Sequence, residues 1–174
     1  MTAEDFVKRL KDIKIDIENL RLRGISDSYI QSKIHRYLLI KRDDQTFNNP
    51  INELINNYES YNLTIGGIEF HDFVKTVRNF SYFATVEDCM LAIDSNTAKI
   101  VMVEPDEKQI IYSVAKSSEH FLSAIADTAQ FLERRGTEDG LYEDEPENIR
   151  VAEKIGEIAG GVEYVDFYRY MFGV

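Results

Sequence analysis

Apolar positions recur along the start of the chain with the period of a helix. Phe6, Leu10, Ile13, Ile17 and Leu20 fall four, three, four and three residues apart, one face of a 3.6-residue repeat. Thr2 stands where an N-cap belongs, with Asp5 three residues on, and Gly24 stands where a helix stops. One helix between Thr2 and Gly24 is the expectation. Ser26 or Asp27 opens a second, with Ile30, Ile34, Tyr37 and Leu38 on its apolar side. Residues 41–49 (KRDDQTFNN) are a polar connection. Asn49-Pro50 then opens a short helix that turns Ile51, Leu54, Ile55 and Tyr58 inward, Pro50 suiting its first turn.

The pattern changes after Leu63. Leu63-Thr64-Ile65 and Ile68-Glu69-Phe70 flank Gly66-Gly67, the spacing of a tight turn or bulge between extended segments. Phe80 to Val86 is aromatic and β-branched. Cys89 to Ile93 and Lys99 to Val103 are short apolar runs around Asp94-Ser95-Asn96-Thr97, residues that favour turns through local side-chain hydrogen bonds. Glu104 to Glu107 is a further turn and Gln109 to Val114 a further strand, so an antiparallel meander of three strands is expected here.

Helical spacing returns at the end. Ser117 or Ser118 caps a run carrying Phe121, Leu122, Ile125, Ala129 and Leu132. Residues 136–147 (GTEDGLYEDEPE) hold six acids and no base and read as an exposed loop. Pro146 starts a helix with Ile149, Ala152, Ile155 and Ile158, which Gly160-Gly161 ends. An aromatic tail follows, with Tyr164, Phe167, Tyr168, Tyr170 and Phe172. Helices, then a sheet, then helices define the α+β class. No repeat, low-complexity tract or dividing linker interrupts the 174 residues.

Charge narrows the choice of partner. Residues 1–42 hold ten bases and six acids, net +4, and residues 43–174 hold ten bases and twenty-five acids, net −15, for a total of −11. So acidic a chain repels a phosphate backbone, which argues against nucleic acid and for a basic protein partner. Solubility is the plainer reason for such a charge. The single Cys89 excludes a disulfide scaffold. Apolar runs such as Ile100 to Val103 are far too short for a membrane span, and charges at Glu4, Asp5, Lys8 and Arg9 leave no signal-peptide core. A cytoplasmic protein without a membrane association is expected.

Catalytic patterns do not assemble. Gly66-Gly67 and Gly160-Gly161 lack the Lys-Ser/Thr of a phosphate loop, and no G-x-S-x-G elbow occurs. Glu87 and Asp88 beside Cys89 disfavour its thiolate, and His35, His71 and His120 have no fixed spacing to it. Glu69 and His71 share a face if extended, which makes half a metal site or, more plainly, a solvated polar face. Neither a metal nor a cofactor is expected. Two features remain for binding. Glu138, Asp139, Glu143, Asp144, Glu145 and Glu147 surround Leu141-Tyr142, an apolar and aromatic pair of the kind interfaces use as anchors. The alternative is a solvated mobile loop. The aromatic tail is either a sticky surface or, as its spacing favours, packed against the domain.

Several segments carry a family likeness. Pro50-Ile51-Asn52-Glu53-Leu54, Ile65-Gly66-Gly67-Ile68-Glu69-Phe70, Leu91-Ala92-Ile93-Asp94 with Lys99 to Val103, and Ser117-Ser118-Glu119-His120-Phe121-Leu122 together resemble the SUKH superfamily over roughly residues 45–135. That group includes fungal cell-wall regulators and bacterial immunity proteins. Two positions depart from it: Thr97-Ala98 stands where the family often has Thr-Gly, so a positive φ would strain Ala98, and Lys116 replaces a frequent Asn. The resemblance implies one α+β domain over residues 1–174, a central antiparallel-rich mixed sheet wrapped by helices, and no enzymatic activity. It also implies an immunity protein that neutralises a cognate intracellular toxin. The alternative is a regulatory or scaffold module of the cell-wall-regulator type. The motif residues are structural, so the partner-binding candidates rest on charge and exposure: the six acids, Tyr142, Glu69 and His71, facing a basic toxin domain. Monomer and dimer stay equally open.

Overall fold

The computed structural model describes residues 1–174. Four helices come first: α1 (Ala3–Lys11), α2 (Ile17–Leu22), α3 (Asp27–Arg36) and α4 (Pro50–Asn57). Six strands follow: β1 (Thr64–Ile65), β2 (Ile68–Val77), β3 (Phe80–Val86), β4 (Cys89–Asp94), β5 (Ile100–Val103) and β6 (Ile110–Ala115). Helices α5 (Ser118–Thr137), α6 (Glu145–Ala159) and α7 (Val165–Phe172) close the chain.

The expected N-terminal helix starts on schedule and then breaks. Thr2 and Asp5 form a complete capping box. Beyond Lys11, however, Ile13, Ile15 and Ile17 alternate with polar residues, a β-branched run that loses side-chain freedom in a helix. The Lys14 N–H donates to Gln130 Oε1 of α5 at 3.3 Å instead of to its own helix. Asp16 then accepts from the Asn19 N–H at 3.0 Å and caps α2. Gly24, at φ 77°, ends α2 where expected. Leu38 departs from its expected place: α3 stops at Arg36, and Leu38 lies beyond it, 44% exposed.

The meander holds six strands rather than three, in sequence order, and every neighbouring pair is antiparallel. The expected mixed sheet is therefore wholly antiparallel, because each connection is a short hairpin and none is a crossover. Gly66 and Gly67 adopt φ 55° and 84°, the type I′ pair that joins β1 to β2. At the β4–β5 turn buried Asp94 accepts from the Asn96 N–H (3.0 Å) and the Thr97 hydroxyl (2.7 Å), and Ala98 takes φ 60°.

Pairing sorts the side chains into two faces. Phe70, Ala84, Leu91, Met102 and Tyr112 pair in one row across β2 to β6. This face meets the helices: Phe83, the extra residue of a β3 bulge, lies edge-on to Phe121 of α5 at 5.4 Å. One core of 38 buried residues runs from Ala3 to Phe172 through this contact. The opposite face carries a second row, Glu69, Thr85, Met90, Val103 and Ile110. There Tyr82, Ala92, Val101 and Val103 form a small cluster of their own, to which only strands contribute.

The C-terminal aromatics are core. Tyr164, Phe167, Tyr168 and Phe172 are buried, Tyr168 donates to the Val114 carbonyl at 3.2 Å, and Tyr170 stacks on Tyr112 at 5.4 Å. Burial pushes the Tyr170 hydroxyl up to about 12. Gly156 allows this docking, since a Cβ there would lie 2.9 Å from the Val165 backbone.

A candidate binding surface on the acidic connection

The charge asymmetry of the sequence is in large part internal to the fold. Arg9 pairs with Asp127, Lys33 with Glu133 (2.8 Å) and Arg23 with Asp139, so the basic N-terminal segment is held on α5 and the turn after it. Arg23 also donates to the carbonyls of Gly136 (3.3 Å) and Thr137 (2.6 Å).

The acidic connection is shorter and more firmly held than its composition implies. α5 runs on to Thr137 and α6 begins at Glu145, so only residues 138–144 join them. Leu141 is buried in the main core and offers no anchor to a partner, because its apolar side chain has the α5–α6 core to fill. Asn148, fully buried on α6, donates to the carbonyls of Leu141 (2.9 Å) and Asp144 (2.7 Å). From the other side Arg135 donates to the Phe172 carbonyl at 2.9 Å and the Tyr142 carbonyl at 3.3 Å. Its guanidinium stacks on the Tyr142 ring, 4.4 Å from the centroid. A turn fixed at both carbonyl and ring loses little freedom when something binds it.

Most of the acids expected to face a partner are engaged within the molecule. Glu138 pairs with Arg134 at 2.9 Å and Asp139 with Arg23. Glu147 takes both nitrogens of Arg150, at 2.6 and 2.7 Å, a bond that holds its carboxyl below the usual range. Asp144 accepts the Glu147 N–H at 3.0 Å as the cap of α6. These surface pairs each add only about 0–1 kcal/mol, but they neutralise charge that a partner would otherwise meet. Glu143 and Glu145 enter no ion pair, and Tyr142 between α5 and α6 is 66% exposed. The candidate surface thus contracts to Tyr142, Glu143 and Glu145.

Glu69 and His71 do not join it. Glu69 is exposed on the helix-free face opposite Thr85. The register of β2 shifts after Phe70, so strict alternation does not carry on to His71, which is half-buried. Burial lowers its pKa, and Asp72 opposes this in part. No three His, Cys, Asp or Glu side chains converge on a point that would hold a metal ion. At Cys89 burial pushes the thiol up, and the charges of Glu104, Asp88 and Glu87 act in the same direction. The residues missed by sequence reasoning are Arg135 and Asn148. Asp144 and Pro146 marked the start of α6, but nothing local distinguishes a buried asparagine from an exposed one.

Fold and surface define an α+β protein with helices on one face of an antiparallel sheet and a pinned, acidic, tyrosine-tipped turn. No helix is long and apolar enough to cross a membrane. No protein-family model matches the chain, and no curated protein or solved structure matches it significantly.

Proposed function

We propose that this protein is a non-enzymatic binding module of the immunity type, working in the cytoplasm by occupying a basic toxin domain. The observation that carries the reading is the exposed Tyr142 ring, held by Arg135 at 4.4 Å and flanked by the unpaired Glu143 and Glu145. An immobilised aromatic beside free charge of one sign is the chemistry of an interface anchor with a steering field. The net charge of −11 favours encounter with a basic partner and disfavours nucleic acid. The likeness to the SUKH superfamily supports the same reading. Its segments fall on α4, on the β1–β2 hairpin, on β4 ending at Asp94, on β5 and on the start of α5. The reading calls for no metal or cofactor. A regulatory module would use the same surface on a different partner; the aromatic tail once available to it is buried.

The test is association kinetics with the captured partner. Glu143→Lys with Glu145→Lys lowers the on-rate at low salt, and the difference from wild type shrinks as salt screens the field. Tyr142→Ala raises the off-rate. Unchanged rates in both variants remove this turn from the interface.

A further inference from the structure

We infer that the N-terminal helices carry a second docking surface, an apolar groove with a basic rim that takes an acidic, apolar-anchored segment of a partner protein. It is independent of the Tyr142 surface and has the opposite charge. A groove of about 260 Å³ lies between α1, the 12–16 connection and α3, lined by Leu10, Ile13, Ile15, Ile34 and Leu38 among others, with Lys11 its one charged residue. A second groove of about 390 Å³ meets it at Leu38 and continues over Leu39 and Ile40. Ile40 is 63% exposed. The break in α1 creates this surface, because the extended Ile13-to-Ile17 run leaves its isoleucines along a furrow and only partly covered.

Charge identifies the occupant. Arg9, Arg23 and Lys33 are neutralised by acids of α5 and the turn after it, but Lys11, Lys14 and Arg36 enter no ion pair. Lys11 and Arg36 line the two grooves, Lys14 adjoins Ile15, and Glu59 is the one acid lining them. Apolar contacts ringed by unpaired cations complement a segment that carries apolar anchors and acids, presented as a helix or an extended strand. A second copy is disfavoured, since two molecules of net charge −11 repel.

The full-length protein, immobilised and panned with phage-displayed random peptides, tests this. The enriched sequences are expected to be acidic with Leu, Ile or Phe anchors. In fluorescence anisotropy a labelled peptide from that set is expected to lose about tenfold or more in affinity on Leu38→Asp. Lys11→Glu with Arg36→Glu weakens it and flattens its salt dependence, and Tyr142→Ala leaves it unchanged. Leu38 and Arg36 are at the exposed end of α3, and circular dichroism checks that each variant folds; Ile40→Asp replaces Leu38→Asp if the latter does not. No enrichment, enrichment of basic peptides, or binding indifferent to the groove substitutions overturns the inference. A concentration-dependent dimer in sedimentation velocity, lost on Leu38→Asp, overturns the partner in favour of a second copy.

Discussion

The hydroxyl of Tyr37, at the end of α3, donates a 2.8 Å hydrogen bond to Glu133 of α5, and both residues are buried. Lys33, one turn earlier, reaches the same carboxylate at 2.8 Å. Burial, and then the Glu133 charge, pushes the Tyr37 hydroxyl far above its ordinary range. This cluster fastens α3 to the body of the protein. Glu133→Ala leaves a mostly covered ammonium and a buried hydroxyl without their acceptor, at a cost of about 3 kcal/mol. Tyr37→Phe costs about 1 kcal/mol. Urea denaturation measures both, and equal effects of the two changes would place the carboxylate's importance elsewhere.

Two turn positions respond to substitution in opposite directions. Ala98 is held at φ 60°, so Ala98→Gly relieves a left-handed side chain and stabilises by about 1 kcal/mol. Gly66, at φ 55°, has Met171 Cε 2.6 Å and Leu132 Cδ1 2.9 Å from where a Cβ would stand. Gly66→Ala therefore destabilises by about 2 kcal/mol, strain and displaced packing together. Thermal midpoints of the two variants should move apart around that of the wild type.

Removing residues 162–174 abolishes the fold. The segment contributes buried Tyr164, Phe167, Tyr168 and Phe172, and truncating a single such ring costs about 3–5 kcal/mol against a total stability of about 5–15 kcal/mol. The shortened chain is expected to show no cooperative melt by near-ultraviolet circular dichroism. A cooperative melt in the truncated protein would show the tail to be an appendage.

His71 makes stability depend on pH near neutrality. Its folded pKa lies below the ordinary 6.5 because burial disfavours the imidazolium. The unfolded state therefore binds its proton first as pH falls. The contribution of neutral His71 is complete above pH 6.5 and declines below it until the folded pKa is passed. In urea titrations at pH 7 and pH 5 the wild type loses more stability on acidification than His71→Gln. An identical loss in both assigns the slope to other groups.

The sequence made the elements legible where a local rule decides them. Thr2, Ser26, Asn49 and Ser117 each cap the helix expected of them, and Gly66-Gly67 turns where two extended segments meet. The α1 break was hidden because Phe6 to Leu20 fits a helical period, while the competing bonds of Lys14 to Gln130 and Asp16 to Asn19 depend on tertiary placement or a second cap. The candidate surface was located but overdrawn. Composition marks where acids are; it does not say that Arg23, Arg134 and Arg150 come from three helices or their ends to meet Asp139, Glu138 and Glu147. Nor does it show Leu141 buried beside an exposed Tyr142, since adjacent residues of a turn follow no period.

The most direct test of the account is affinity capture from a lysate of the source cell at low and moderate salt, with mass spectrometry of what is retained. It is run beside a Tyr142→Ala, Glu143→Lys, Glu145→Lys triple variant that folds normally. The account predicts one basic protein, held stoichiometrically by the wild type and lost from the variant. A retained set that is the same for both proteins would contradict it.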